Sequence, residues 1–480
     1  MKLFNKNIWL LVGVLALIES ISFSGYFFEP LKIAAAIIIS LIVVVLTFKN
    51  LENGLLILFA ELTIGSKGHL FEIGPISIRM IIFAAIILAF VYNLRKREEQ
   101  LKIYNYLKQF KIFAGLAFFI LVSLIVAFIN HNGLVNIYSD FNAWLFFLLL
   151  FPVLSVYYQA KKDVYKRLIQ ILVAAFLWLG FETFIILYVF THNLVMMSDM
   201  YLWLRRTGVA EITPTLGSWP RIFLQSQIYT AIAIVILPFV KLKKINQRFL
   251  LILAWGVALL SMSRSFWLAI ILSLAIGLLW ILAIKGWKYF GQKLLLLSLT
   301  AISSVILIVF ITIFPIPKPG AFSADSFINR VSLDSNEAAV ASRWSLLPVM
   351  WHEIVKSPFL GYGFGKTITY KSSDPRVLQV NPSGEYTTYA FEWGYLGLWL
   401  KLGILGLLSY LSLLGLYIYR GLRDWRAGND LSGALALGLV VLAIVHFLTP
   451  YLDHPLGIAY LIFAACLIEK SRSEKNKTLP

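Results

Sequence analysis

With 480 residues, 60% of them hydrophobic and only 14% charged, and a mean hydropathy of +0.81, the chain has too little charge for a soluble domain. Several apolar runs exceed the ~18 residues expected of a spanning helix, so the fold class is an all-α polytopic membrane protein. The net charge of +18 fits basic residues held at one membrane face rather than nucleic-acid binding, because most of them lie in short hydrophilic segments at alternate helix ends. The single cysteine, Cys466, excludes a disulfide framework or a Cys-x-x-Cys site.

Apolar runs and their punctuation predict about 12–14 transmembrane helices in one membrane domain, residues 1–480. Lys2 and Lys6 precede the first run, 8–28, and no Ala-x-Ala site follows, so it reads as a spanning helix rather than a cleaved signal. Glu29-Pro30 separates it from 31–48. The third run, 55–64, is short enough to be partial or re-entrant. Segment 76–92 carries Arg79 and is followed by a strongly basic stretch, 95–111. Runs 113–129 and 143–158 close on Lys161, Lys162, Lys166 and Arg167. Run 168–190 leads to a small outer loop, 191–220, containing Trp203, Arg205 and Arg206. Run 222–240 returns to Lys241, Lys243, Lys244 and Arg248. Runs 250–261 and 266–284 are joined by the tight turn Met262-Ser263-Arg264-Ser265. Run 294–314 leads to a large outer loop, 315–391, and 393–419, 435–448 and 456–468 complete the bundle before a cytoplasmic tail, 469–480. Counted from a cytoplasmic N-terminus, each basic cluster falls at an inward end, which puts both loops outside.

The large loop is the longest stretch too polar for the bilayer. Pro315, Pro317, Pro319 and Gly320 stop the helix before it, and charges interleaved with aromatics argue for an ordered, functional segment. Trp344, Leu347, Trp351 and Ile354 recur at helical spacing. They predict an amphipathic surface helix capped by Ser342 and interrupted near its first turn by Pro348. Gly361-x-Gly-x-Gly365 resembles a phosphate loop only superficially, since no strand precedes it in a βαβ unit.

Charges at the membrane edge default to a functional reading. Arg264 in the tight turn and Arg221 after Trp219-Pro220 fall at the same outer face, against the positive-inside bias. Their guanidinium forks suit a diphosphate; the alternative is snorkelling. Glu392, in Tyr389-Ala390-Phe391-Glu392-Trp393-Gly394, is either a desolvated general base or the partner of one of these arginines. Arg343 offers a contact to an acceptor or a phosphate, or is an ordinary exposed cation. His352 reads as a surface histidine. His69, His131, His192, His352, His446 and His454 lack ligand spacing, so neither a metal nor a cofactor is expected.

Four local patterns occur in order. They are Arg221 with Gln225 and Gln227; Ser263-Arg264-Ser265; Arg343-Trp344 leading to Ser357-Pro358-Phe359-Leu360-Gly361-Tyr362-Gly363; and Gly403-Ile404-Leu405-Gly406. Together they resemble the O-antigen ligase/O-antigen polymerase family of bacterial membrane glycosyltransferases. The resemblance implies a GT-C-like helical fold in the bacterial inner (cytoplasmic) membrane, with its active site at the outer face. It implies metal-independent transfer of a glycan from an undecaprenyl-diphosphate carrier to a glycan or lipid acceptor, in lipopolysaccharide or other cell-surface polysaccharide assembly. On it, Arg264 and Arg221 neutralise the diphosphate leaving group. Glu392 stands where the ligases carry a histidine, which leaves ligase and polymerase chemistry both open. Its implied partners are the lipid-linked glycan, the acceptor and the bilayer, and no nucleic acid. Two other classes remain. One is a transporter or flippase for glycans or small solutes, using Glu19, Arg79, Asp140 or Glu182. The other is a noncatalytic scaffold for envelope assembly.

Overall fold

A computed structural model describes residues 5–158, 160–213, 219–315 and 338–478. Expectations that rest on Lys2, on Pro317, Pro319 and Gly320, and on the first part of the large loop lie outside those residues. The chain is an all-α polytopic membrane protein. Among the described residues eight helices are long and apolar enough to cross a membrane: Lys6–Phe27, Glu29–Lys49, Lys111–Ile129, Leu134–Tyr157, Lys162–Thr191, Arg264–Lys285, Trp287–Ile313 and Gly394–Arg426. Ile78–Asn93 and Arg97–Leu107, bent 112° apart, make a ninth if taken as one span, and Gln225–Ile236 and Asp430–Val445 are shorter apolar helices. The 12–14 spans expected from apolar runs also take in shorter apolar helices that fall below this length. Leu51–Ile64 is one: its 14 residues reach only ~21 Å, short of a ~30 Å hydrocarbon core, and most of its side chains are buried.

Local sequence sets the helix starts. Asn5, Asn50, Ser77 and Asn429 each place a side-chain oxygen on a backbone N–H of the first turn, at 3.0, 3.0, 3.4 and 3.1 Å. Among the described residues, strands are confined to three two-stranded antiparallel ribbons: Glu72–Ile73 with Ile76–Ser77, Glu211–Thr213 with Arg221–Phe223, and Ile368–Lys371 with Glu385–Thr388. The second pairs Thr213 with Arg221. Lys67 bonds Glu211 at 3.0 Å and ties that ribbon to the end of the short third helix.

The helix Gly394–Arg426 organises one side of the bundle, packing on Asp430–Val445 and Lys111–Ile129. It breaks at Gly403, whose φ of 70° is left-handed. A break would orphan backbone groups at membrane depth, and the glycine-rich corner of the large loop fills it. The Leu400 carbonyl accepts from Tyr362 N at 2.8 Å, the Lys401 carbonyl from Gly363 N at 3.1 Å, and Ile404 N donates to the Pro358 carbonyl at 2.8 Å. Gly363 (φ 80°) must be glycine, because a Cβ there would lie 2.3 Å from Ala127 N. The Gly361-x-Gly-x-Gly365 pattern therefore serves close backbone packing and not a phosphate.

The helix of the large loop runs Ala338–Lys356 and passes through Pro348. It starts before Ser342, so Ser342 is no cap; its hydroxyl instead meets Ser372 Oγ at 3.1 Å and accepts from Ser373 N at 2.8 Å. Leu346, Met350 and Ile354 are buried against Ile368, Phe391 and Leu400, each contributing about 1.5–3 kcal/mol. Trp344 and Trp351 stay exposed, with Trp393 and Trp399 edge-on beside them at 5.8 Å.

Candidate functional site

The tight turn is fixed by its own serines. Ser261 Oγ donates to the Ala258 carbonyl at 2.6 Å and accepts from Ser263 N at 3.2 Å, while Ser263 Oγ meets Ser265 Oγ at 3.1 Å. Met262 between them is held at φ 45°, a left-handed conformation costing roughly 1–3 kcal/mol for a non-glycine residue. The turn delivers Arg264, half-buried, as the first residue of its helix.

Arg221 comes to the same turn from the second ribbon. Its Nε donates to the Ser261 carbonyl at 3.2 Å and its guanidinium lies 4.9 Å over the Phe223 ring. Phe223 in turn packs on Phe266, two residues beyond Arg264. The two sequence-predicted arginines thus meet at one helix start. Glu211, opposite Phe223 in the ribbon, adds an acidic neighbour. Burial raises its carboxyl, but Lys67, helped by Arg221 and Arg205, outweighs burial and holds it below the ordinary range.

Glu392 pairs with a different arginine from those expected. Arg343 Nε donates to Glu392 Oε2, and Trp393 Nε1 donates to the Arg343 carbonyl at 2.9 Å. The Glu392 side chain is 52% exposed, so the desolvated setting expected from its aromatic neighbours is absent: Phe391 turns into the core while Glu392 turns out. Each pair flanks the segment after Val445. Ser265 Oγ meets Thr449 Oγ1 at 3.1 Å, and Tyr395, three residues past Glu392, donates to the Ala443 carbonyl at 2.8 Å and stacks edge-on against His446.

That segment, 446–455, carries two of the histidines that lack ligand spacing, His446 and His454. His446 Nδ1 accepts the N–H groups of both Tyr451 and Leu452, at 3.2 and 3.1 Å. Tyr451 donates to the Gln225 carbonyl at 2.8 Å, and Gln225 N donates to Ser66 Oγ at 2.9 Å. The half-buried Asp453 carboxyl is pushed up by burial, against the pull of Lys401. Burial, with Arg79 and Lys67 nearby, lowers His454 to about 3, so its ring is neutral at physiological pH. Lys401 itself, buried in the kinked helix, bonds Asp140 Oδ1 at 2.6 Å, and Asp140 Oδ2 accepts from Gly365 N at 2.8 Å. Arg79 is closed in the same way on Glu61 at 2.8 Å and on the Ser66 carbonyl. The signals for this network were Lys401 in an apolar run and Asp453-His454 between Pro450 and Pro455. Among the described residues no group of three or more His, Cys, Asp or Glu is placed to hold a metal ion.

Residues 249–411 match the family described as O-antigen ligase. This stretch is an O-antigen ligase domain. It takes in Arg264, Arg343, Glu392 and the Gly403-Ile404-Leu405-Gly406 break; Arg221 lies before it. The matched stretch and the membrane helices support a multi-pass bacterial membrane protein with O-antigen ligase-like glycan transfer. No curated protein matches the chain.

Proposed function

We propose that the ligase domain transfers an oligosaccharide from an undecaprenyl-diphosphate carrier to a hydroxyl of a glycan or lipid acceptor, at the outer face of the bacterial cytoplasmic membrane. The acceptor oxygen attacks the anomeric carbon, the carbon–oxygen bond to the diphosphate breaks, and the acceptor proton passes to Glu392. Arg264 and Arg221 bind the diphosphate and stabilise the charge it gains on leaving. Arg343 holds Glu392 Oε2, and Oε1 takes the acceptor proton. The described part of the large loop, with Arg343, positions the acceptor side, and charge stabilisation falls to the arginines.

The observation that carries this reading is the meeting of Arg221 with the Ser261–Arg264 turn. Transfer is favoured over transport because Arg79 and Asp140, two of the polar residues a transporter would use, are closed in buried ion pairs. The test is the rate of transfer from a defined lipid-linked donor by purified protein. Arg264→Ala and Glu392→Gln should each lower kcat by about 10²–10³-fold without loss of folded protein. Full activity in both variants overturns the mechanism.

A further inference from the structure

The end of the bundle opposite Glu392 holds a second polar site. Beyond its break at Gly403 the kinked helix runs ~30 Å further to Asp424. A cavity of about 460 Å³ opens there, lined by Val240, Asp424, Asn429, Leu431, Ser471 and Arg472. That is far more than a water site needs and falls among small-ligand pockets.

Most polar groups around it are already engaged. Asp430 Oδ1 accepts from Lys285 Nζ at 2.6 Å and from Trp425 Nε1 at 3.1 Å. Asn429 caps Ser432 N at 3.1 Å and donates to Ser471 Oγ. Arg420 closes on Glu469. Two charged atoms are not engaged in this way: Arg472 Nη1 and Asp424 Oδ2 are buried, and neither has a hydrogen-bond partner among the described residues. Buried charged atoms left unsatisfied are costly. The two residues carry opposite signs and both line one cavity, whose rim adds exposed Lys241 and whose wall includes the half-exposed Leu431.

We propose that this cavity binds a phosphate joined to a primary ammonium, the phosphoethanolamine group. Arg472, with Lys241 at the rim, takes the phosphate, and Asp424 takes the ammonium through charge-assisted hydrogen bonds. The apolar Leu431 and Val240 lie where the glyceride of a membrane phospholipid would continue. The group comes either from a phospholipid headgroup or from free phosphoethanolamine. The site is independent of the glycan-transfer residues.

The test uses the full-length protein in vesicles containing phosphatidylethanolamine, phosphatidylcholine or phosphatidylglycerol, with retained lipid counted by native mass spectrometry. Wild type should retain phosphatidylethanolamine about tenfold over phosphatidylcholine, whose quaternary ammonium has no N–H to donate. Asp424→Asn should abolish that preference, Arg472→Gln should lower retention of all three lipids, and Arg472→Lys should restore part of it. Displacement by soluble phosphoethanolamine assigns the site to the free compound; retention in its presence assigns it to the lipid. Equal retention by wild type and Arg472→Gln, or an undiminished preference in Asp424→Asn, overturns the proposal. Unchanged glycan transfer by both variants controls for folding.

Discussion

Lys401 shows how much one side chain can settle. It lies in an apolar helix, 4% exposed, 2.6 Å from an Asp140 that is 8% exposed. Asp140 spends its other oxygen on Gly365 N, so the pair fastens the glycine-rich corner to two helices. Removing one partner of a buried pair leaves the other charge uncompensated, at about 3–5 kcal/mol. Lys401→Met should therefore lower the thermal midpoint of the purified protein sharply, and Lys401→Met with Asp140→Asn should recover much of the loss. An unchanged midpoint in the single variant would show that the pair holds nothing. This contact was not legible in the sequence, because its partners are 261 residues apart and neither has a local motif. Arg264 was legible for the opposite reason: its setting is made by the four residues around it.

Among elements, the large-loop helix carries the clearest pH dependence. Glu353 bonds Lys356 at 2.6 Å and Lys366 at 3.1 Å, so it ties the helix to the chain beyond the glycine-rich corner. The Lys356 hydrogen bond, against burial and with help from Lys366, holds the Glu353 carboxyl below its ordinary 4.5. A carboxyl lowered in the folded state stabilises fully above its unfolded value and loses that contribution as pH falls through the folded one. Protection of the 356–366 region from protease should hold at neutral pH and fall below about pH 4, and Glu353→Gln should already be less protected at pH 7. Protection of the variant equal to that of wild type at pH 7 would remove this role. The sequence located this helix through its aromatic spacing but misjudged its start and left its buried face open. Trp344 and Trp351 are the bulkiest apolar residues on it, yet Leu346 and Met350 are the ones that meet the core, a choice made by Phe391 and Leu400 from outside the helix.

At the scale of the whole molecule, the bundle was readable from apolar runs, but which runs form short, enclosed helices was not. Hydropathy cannot separate a helix facing lipid from one enclosed by its neighbours, and Leu51–Ile64 is enclosed. The order of Arg221, Arg264, Arg343 and Gly403 along the chain pointed to a ligase domain, and the match to residues 249–411 agrees with most of it. What the order could not give was the pairing: Arg221 with the Ser261–Arg264 turn, and Arg343 with Glu392, on either side of the segment 446–455. The role proposed for the first of these pairs is to grip a diphosphate. The most direct measurement is the affinity of the purified protein for undecaprenyl diphosphate, the carrier left after transfer. Arg264→Ala and Arg221→Ala should each weaken it by about tenfold or more, while Glu392→Gln leaves it unchanged. Wild-type affinity in both arginine variants would contradict the account.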